Sequence, residues 1–199
     1  MTPELYFIYD SHCPWSYASM PLVNALDQAY PEMMINAWHC AYYDGSDCAG
    51  LQQMNAVAKQ SRVKFTEQYK RFADSPKNSA MAANLMAWLQ NKQPEKVLQV
   101  LIALQKAHFI EGNPLTCKHD FSTIIEQFKL SPPNKLFRAE LSHEAEYSLA
   151  DIAELQDFIG TTAFPALLLA VDDRMILLDH SLYLAKPETI VNAVKKELR

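Results

Sequence analysis

Strand-like segments occur only at the two ends of this 199-residue chain, and that constrains the fold more than any other feature. Leu5–Tyr9 is a short, continuous apolar run that reads as a strand buried on both faces. Pro14 opens a helix as its first residue, and Tyr17, Met20, Leu22, Val23 and Leu26 continue it until Pro31. Met33–Tyr43 is the second strand candidate. From Leu51 to Ile159 only helical periods follow. Met81, Leu85, Trp88 and Leu89 share a face, then Val97, Leu101 and Leu104 after Pro94, then Phe121, Ile124, Ile125 and Phe128. Ser131-Pro132 reads as a cap and first-turn proline, and Leu141, Leu149, Ile152, Leu155 and Ile159 carry a last helix to Gly160. Strands return at residues 166–171 and 175–179, joined by a turn at Asp172-Asp173, and Pro187 opens a terminal helix through Ile190, Val191, Val194 and Leu198. Since both ends are needed to complete one sheet, the helical block must be an insertion within a domain. The expected division is a discontinuous α/β unit, 1–48 with 160–199, and a helical insertion, 49–159.

A hydrophobic fraction of 49% suits one compact core of this kind. The net charge of -5, with acids and bases interspersed, excludes the basic stripe of a nucleic-acid binder. The first residues, MTPELYFIYD, lack the charged start and apolar core of a secretion signal, and no apolar run reaches membrane-spanning length. A soluble, cytoplasmic protein is expected. Its cysteines, Cys13, Cys40, Cys48 and Cys117, are then thiols rather than a disulfide framework. No metal site is expected, because HC at 39–40 and CKH at 117–119 lack the paired spacing of structural zinc.

The stretch DSHCPWSYA places Cys13 where the first strand gives way to the first helix. Unpaired backbone N–H groups and the helix dipole favour a thiolate there, so a downward pKa shift is expected. Ser16 lies one turn on, where its hydroxyl can donate to the thiolate; the other reading is a serine satisfying backbone donors. His12 has two readings, an exposed loop residue or a positive neighbour that lowers the thiol further. Cys40 falls in the second strand candidate, and a buried cysteine is a poor resolving thiol.

The motif Cys13-Pro14-Trp15-Ser16, the stretch AHFIEGN at 107–113 and TTAFPALLL at 161–169 together resemble the thioredoxin fold as elaborated in the DsbA family. Within that family the chain looks most like FrnE-related protein disulfide isomerases. More distantly it resembles kappa-class glutathione transferases and 2-hydroxychromene-2-carboxylate isomerases, which carry serine at the position of Cys13. The resemblance implies a β-α-β … β-β-α sheet with a large all-helical insertion. It implies a cis Phe164-Pro165 bond beside Cys13, the alternative being an ordinary trans proline at the start of a strand. It also implies substrate contacts from Pro14, Trp15, Phe164 and Pro165; packing against the helical block is the other reading for Trp15. The activity implied is thiol-disulfide exchange through Cys13 on protein or glutathione mixed disulfides. No cofactor is tightly bound, and glutathione is a co-substrate. A glutathione-dependent transferase or isomerase, and a non-catalytic binding protein on the same fold, are the competing expectations.

Overall fold

The computed structural model describes residues 2–198. Strand β1 (Glu4–Tyr9) leads into helix α1 (Pro14–Ala29) and returns as β2 (Met34–His39). Helices α2 (Gly50–Gln60), α3 (Glu67–Lys70), α4 (Ala80–Lys92), α5 (Val97–Phe109), α6 (Ser122–Gln127) and α7 (His143–Ile159) follow without a strand among them. Then come β3 (Ala166–Val171), β4 (Arg174–Leu178) and α8 (Ile190–Glu197). The strand order is β2-β1-β3-β4, with β1 parallel to β2 and antiparallel to β3. This is the expected β-α-β … β-β-α sheet.

Register explains the two cores. On one face Leu5, Phe7, Tyr9, Ala37, Leu167 and Leu169 join the large core built with α1, α8 and the inserted helices. The alternate residues Ile8, Ala166 and Leu168 face the other way, against Ile152, Leu149 and Leu155 of α7. One period of two along each strand thus divides the side chains between the layers.

Three boundaries differ from the sequence reading. The second strand stops at His39 rather than Tyr43, because Ala41 takes a left-handed φ of 46° and the N–H groups of Tyr42 and Tyr43 turn to the Asp10 carboxylate. Ser131-Pro132 opens no helix. The next proline, Pro133, disfavours helical geometry at Pro132, and only a 3-10 turn at Asn134–Leu136 forms. Helix α7 starts instead after Ser142, whose Oγ accepts the Ala145 N–H at 3.2 Å, so Leu141 lies outside it. Pro94 and Pro187 each open a 3-10 turn that feeds α5 and α8. Gly160 ends α7 at φ 72°, as its position after Ile159 suggested.

Candidate active site

Strand β1 delivers the chain to the end of the sheet, and the Asp10-Ser11-His12 turn hands it to α1. Cys13 is the N-cap of that helix, with extended backbone and Pro14 at the first helical position. Its N–H donates to the Asp10 carbonyl at 3.1 Å, and its carbonyl accepts the Tyr17 N–H at 3.0 Å. The thiol therefore sits where the first helical N–H groups have no partners within the helix.

Ser16 is fully buried one turn further along. Its Oγ accepts the Asp10 N–H at 3.2 Å, and its hydroxyl lies near enough to Cys13 to favour the thiolate. The reading of Ser16 as a serine that satisfies a backbone donor is met by the Asp10 N–H. The expected downward shift of the Cys13 thiol is not found. Cys13 is 3% exposed, and burial pushes the thiol up to about 11. The Ser16 N–H, the Ser16 hydroxyl and the Trp15 N–H all pull it down, while the negative charge of Asp10 pushes it up. Desolvation outweighs the helix terminus in this closed site.

Asp10 organises the surroundings. It is fully buried, and its carboxylate accepts from the His12 N–H (2.8 Å), the Tyr42 N–H (2.8 Å), the Tyr43 N–H (3.4 Å) and the Ser79 hydroxyl (2.6 Å). One side chain thus ties the Cys13 loop to the end of β2 and to Ser79, which precedes α4. A buried carboxylate is tolerated when its lone pairs are filled in this way.

His12 is not an exposed loop residue. It is fully buried, with Nδ1 3.0 Å from the Ser11 hydroxyl, Nε2 3.3 Å from the Pro114 carbonyl, and its ring 4.3 Å from that of His108. A carbonyl only accepts, so Nε2 carries the proton and Nδ1 accepts from Ser11. Burial lowers the His12 pKa despite the nearby Asp10, so the ring is neutral at pH 7 and gives Cys13 no positive charge. His39 is buried beside it. Backbone N–H groups of Ala41 and Ser11 face its two ring nitrogens at 3.0 and 3.1 Å, and the Ser11 Oγ lies 2.8 Å from Nε2. Burial takes its pKa down to about 4.

The Phe164–Pro165 peptide is cis. Ile8 pairs with Ala166 across β1 and β3, so Pro165 falls level with Tyr9, at the end of the sheet from which the Cys13 loop leaves. Phe164 is half-buried against the cluster of Ile8, Ile152, Ala166 and Leu168, and its ring meets Tyr42 at 4.9 Å between centroids. Tyr42 is itself 53% exposed. Pro14 is buried and Trp15 packs, half-buried, against the large core, as in the second reading for that residue.

The four cysteines are free thiols. Cys40 is one residue beyond β2 rather than inside it, half-buried, with its N–H on the Tyr9 carbonyl at 2.7 Å. Its pKa is raised, chiefly by burial and then by Asp10 and Cys13. Cys117 is exposed and Cys48 half-buried. Among the described residues no cluster of three metal-ligating side chains occurs, and no helix is long and apolar enough to cross a membrane.

Sequence reasoning missed Asp10, Ser11, His39, Tyr42 and Ser79. No signal in the sequence singled out the first, since the carboxylates that follow the apolar strands β3 and β4, Asp172 and Asp179, are exposed. The others depend on contacts between distant segments.

No family model matches the chain, and no curated protein matches it. Solved structures do. The cytosolic disulfide reductase DsbM from Pseudomonas aeruginosa superposes with a TM-score of 0.84 at 20% identity, over 98% of each chain. The same protein with GSH gives 0.82 at 19% identity, over 98% of this chain and 99% of that one. A putative protein disulfide isomerase from Nitrosomonas europaea gives 0.74 at 15% identity, over 99% and 98%. The chain has the thioredoxin fold in the form these DsbA-like structures share.

Proposed function

We propose that this protein is a monothiol thiol-disulfide oxidoreductase or isomerase, acting through Cys13 on protein or glutathione mixed disulfides. The observation that carries the reading is the Ser16 hydroxyl. With the Asp10 N–H donating to its oxygen at 3.2 Å, its own proton is left to donate, and the hydroxyl pulls the Cys13 pKa down. A donor held in place before reaction stabilises the thiolate as it forms, together with the Ser16 and Trp15 N–H groups.

The reaction has two steps. The Cys13 thiolate attacks a mixed disulfide, forming a new S–S bond and releasing the substrate thiolate, which takes the proton that Cys13 lost. An external thiol such as glutathione then attacks the Cys13 mixed disulfide, freeing Cys13 and leaving as a disulfide. Position 16 offers no sulfur to close the cycle internally. Pro14, Trp15, Phe164 and Pro165 are the proposed substrate contacts, and His12 holds the loop rather than tuning its charge. Glutathione as co-substrate is supported by the similarity to a disulfide reductase solved with GSH. We place the protein in the cytoplasm, where such a thiol supply exists, and assign the redox unit to 1–48 with 160–199 and the insertion to 49–159.

The high pKa of Cys13 favours one other reading, a binding protein on the same fold without turnover. Incubation with a glutathionylated peptide and excess glutathione decides between them. Release of the peptide thiol that Cys13→Ser abolishes supports exchange; binding without release supports the alternative.

A further inference from the structure

A cavity of about 510 Å³ lies on the α7 side of the sheet, toward the end opposite Cys13. It plays no part in the exchange chemistry. Its floor is aromatic: Tyr6 on β1 and Trp38 on β2 meet edge to face, 5.0 Å between ring centroids, and both are half-buried. Phe158 of α7 stands at its wall, 73% exposed. A large aromatic ring left this open beside an apolar floor loses the burial that rings of its size contribute.

Among the described residues the rim carries more carboxylates than cations. Asp151 and Glu154, at i and i+3 on α7, flank the cavity, and Asp173 of the hairpin turn closes its far side. Among the described residues no cation pairs with any of the three. Among the described residues of the lining the one cation is Arg174, and it is drawn toward α8, where its guanidinium meets the Glu197 carboxylate at 3.6 Å and the Glu197 carbonyl at 2.9 Å. Aromatic faces carry negative quadrupole charge and attract cations; carboxylates around them add to the same field. The volume falls in the range of small-molecule sites, about 300–1,000 Å³.

We propose that this groove binds a small lipophilic organic cation, an ammonium group carrying an apolar body. The apolar body covers Tyr6, Trp38 and Phe158, and the cationic head sits among Asp151, Glu154 and Asp173. A neutral or anionic molecule of the same shape gains the apolar contact alone.

The test follows the indole N–H resonances of the full-length protein as benzyltriethylammonium is added, with benzyl alcohol and benzoate as comparators. The Trp38 signal should shift saturably with the cation, and those of Trp15 and Trp88 should stay in place. The comparators, with the apolar contact alone, should shift Trp38 at much higher concentration, and added salt should weaken the cation's binding. Asp151→Asn with Glu154→Gln should raise the dissociation constant about three- to tenfold. Phe158→Ala removes an exposed side chain that folding does not require and should weaken binding by a similar factor. An equal shift with benzyl alcohol would reduce the site to a greasy groove and overturn the proposal. So would the absence of any saturable shift, or a Trp38 shift that follows protein concentration without the probe, since a second copy would then be the occupant.

Discussion

Replacing Ser16 by alanine tests the site most directly, because the hydroxyl does two separable things. It accepts the buried Asp10 N–H and, in the proposed site, donates to the Cys13 thiolate. A hydrogen bond to a charged group contributes about 1.5–3 kcal/mol, and one pKa unit is worth about 1.36 kcal/mol. Ser16→Ala should therefore push the Cys13 thiol further up, by about ten- to a hundredfold in its ionisation constant. At pH 8 the thiolate population falls by about ten- to a hundredfold, but a more basic thiolate is a better nucleophile, with a Brønsted slope of about 0.4–0.5. The net rate of reaction with a small neutral thiosulfonate should drop about 3- to 15-fold. Folding should suffer separately, since an orphaned buried N–H costs about 1–3 kcal/mol. Ser16→Thr keeps the oxygen and should restore most of the rate. The assay is the second-order rate at Cys13, read by intact mass in a background lacking the other thiols, beside a urea titration. An unchanged rate in Ser16→Ala would mean that the hydroxyl does not face the sulfur, and the proposed chemistry would lose its main support.

Ser16→Cys should convert the site to a dithiol one: after oxidised glutathione, the wild type holds a Cys13–glutathione adduct, whereas the variant passes to an internal disulfide because the two side chains are one helical turn apart; mass spectrometry that finds only the adduct in the variant refutes the facing geometry. Iodoacetamide at neutral pH should label exposed Cys117 before Cys13, which is 3% exposed with its thiol pushed up to about 11; peptide mapping that finds Cys13 first would show that burial does not control it. Acid should destabilise the fold in the window between about 6.5 and about 4: His39 is neutral when folded and protonated when unfolded there, so the unfolded state binds the extra proton and stability falls with pH, by about 3 kcal/mol from this residue alone. His12 and His108 act in the same direction, and a urea midpoint that does not move between pH 7 and pH 4 would contradict all three. Asp10→Ala should cost at least about 3 kcal/mol, because four donors lose their acceptor in a buried setting; a denaturation midpoint close to wild type would remove Asp10 from the centre of the site.

What the sequence determined by itself is local. The apolar run at residues 5–9, the helix-opening Pro14 and the turn at Asp172-Asp173 place the strands at the chain ends, and a single sheet with an inserted helical block follows from that order. The placement of Cys13 at the N-cap of α1 and of Ser16 one turn on needs only helical geometry. The charge state of the site was decided elsewhere. Ser79 of the insertion, Tyr42 beyond β2 and Pro114 after α5 converge on Asp10 and His12 from positions far apart in the chain. Burial is the sum of such long-range contacts, and no pattern over a few residues encodes it. A helix N-terminus lowers a thiol pKa by short-range donors that the motif announces, whereas the desolvation that raises it comes from every segment packed around the sulfur. That second effect wins at Cys13 and keeps His12 and His39 neutral at pH 7, and only the tertiary structure sets it.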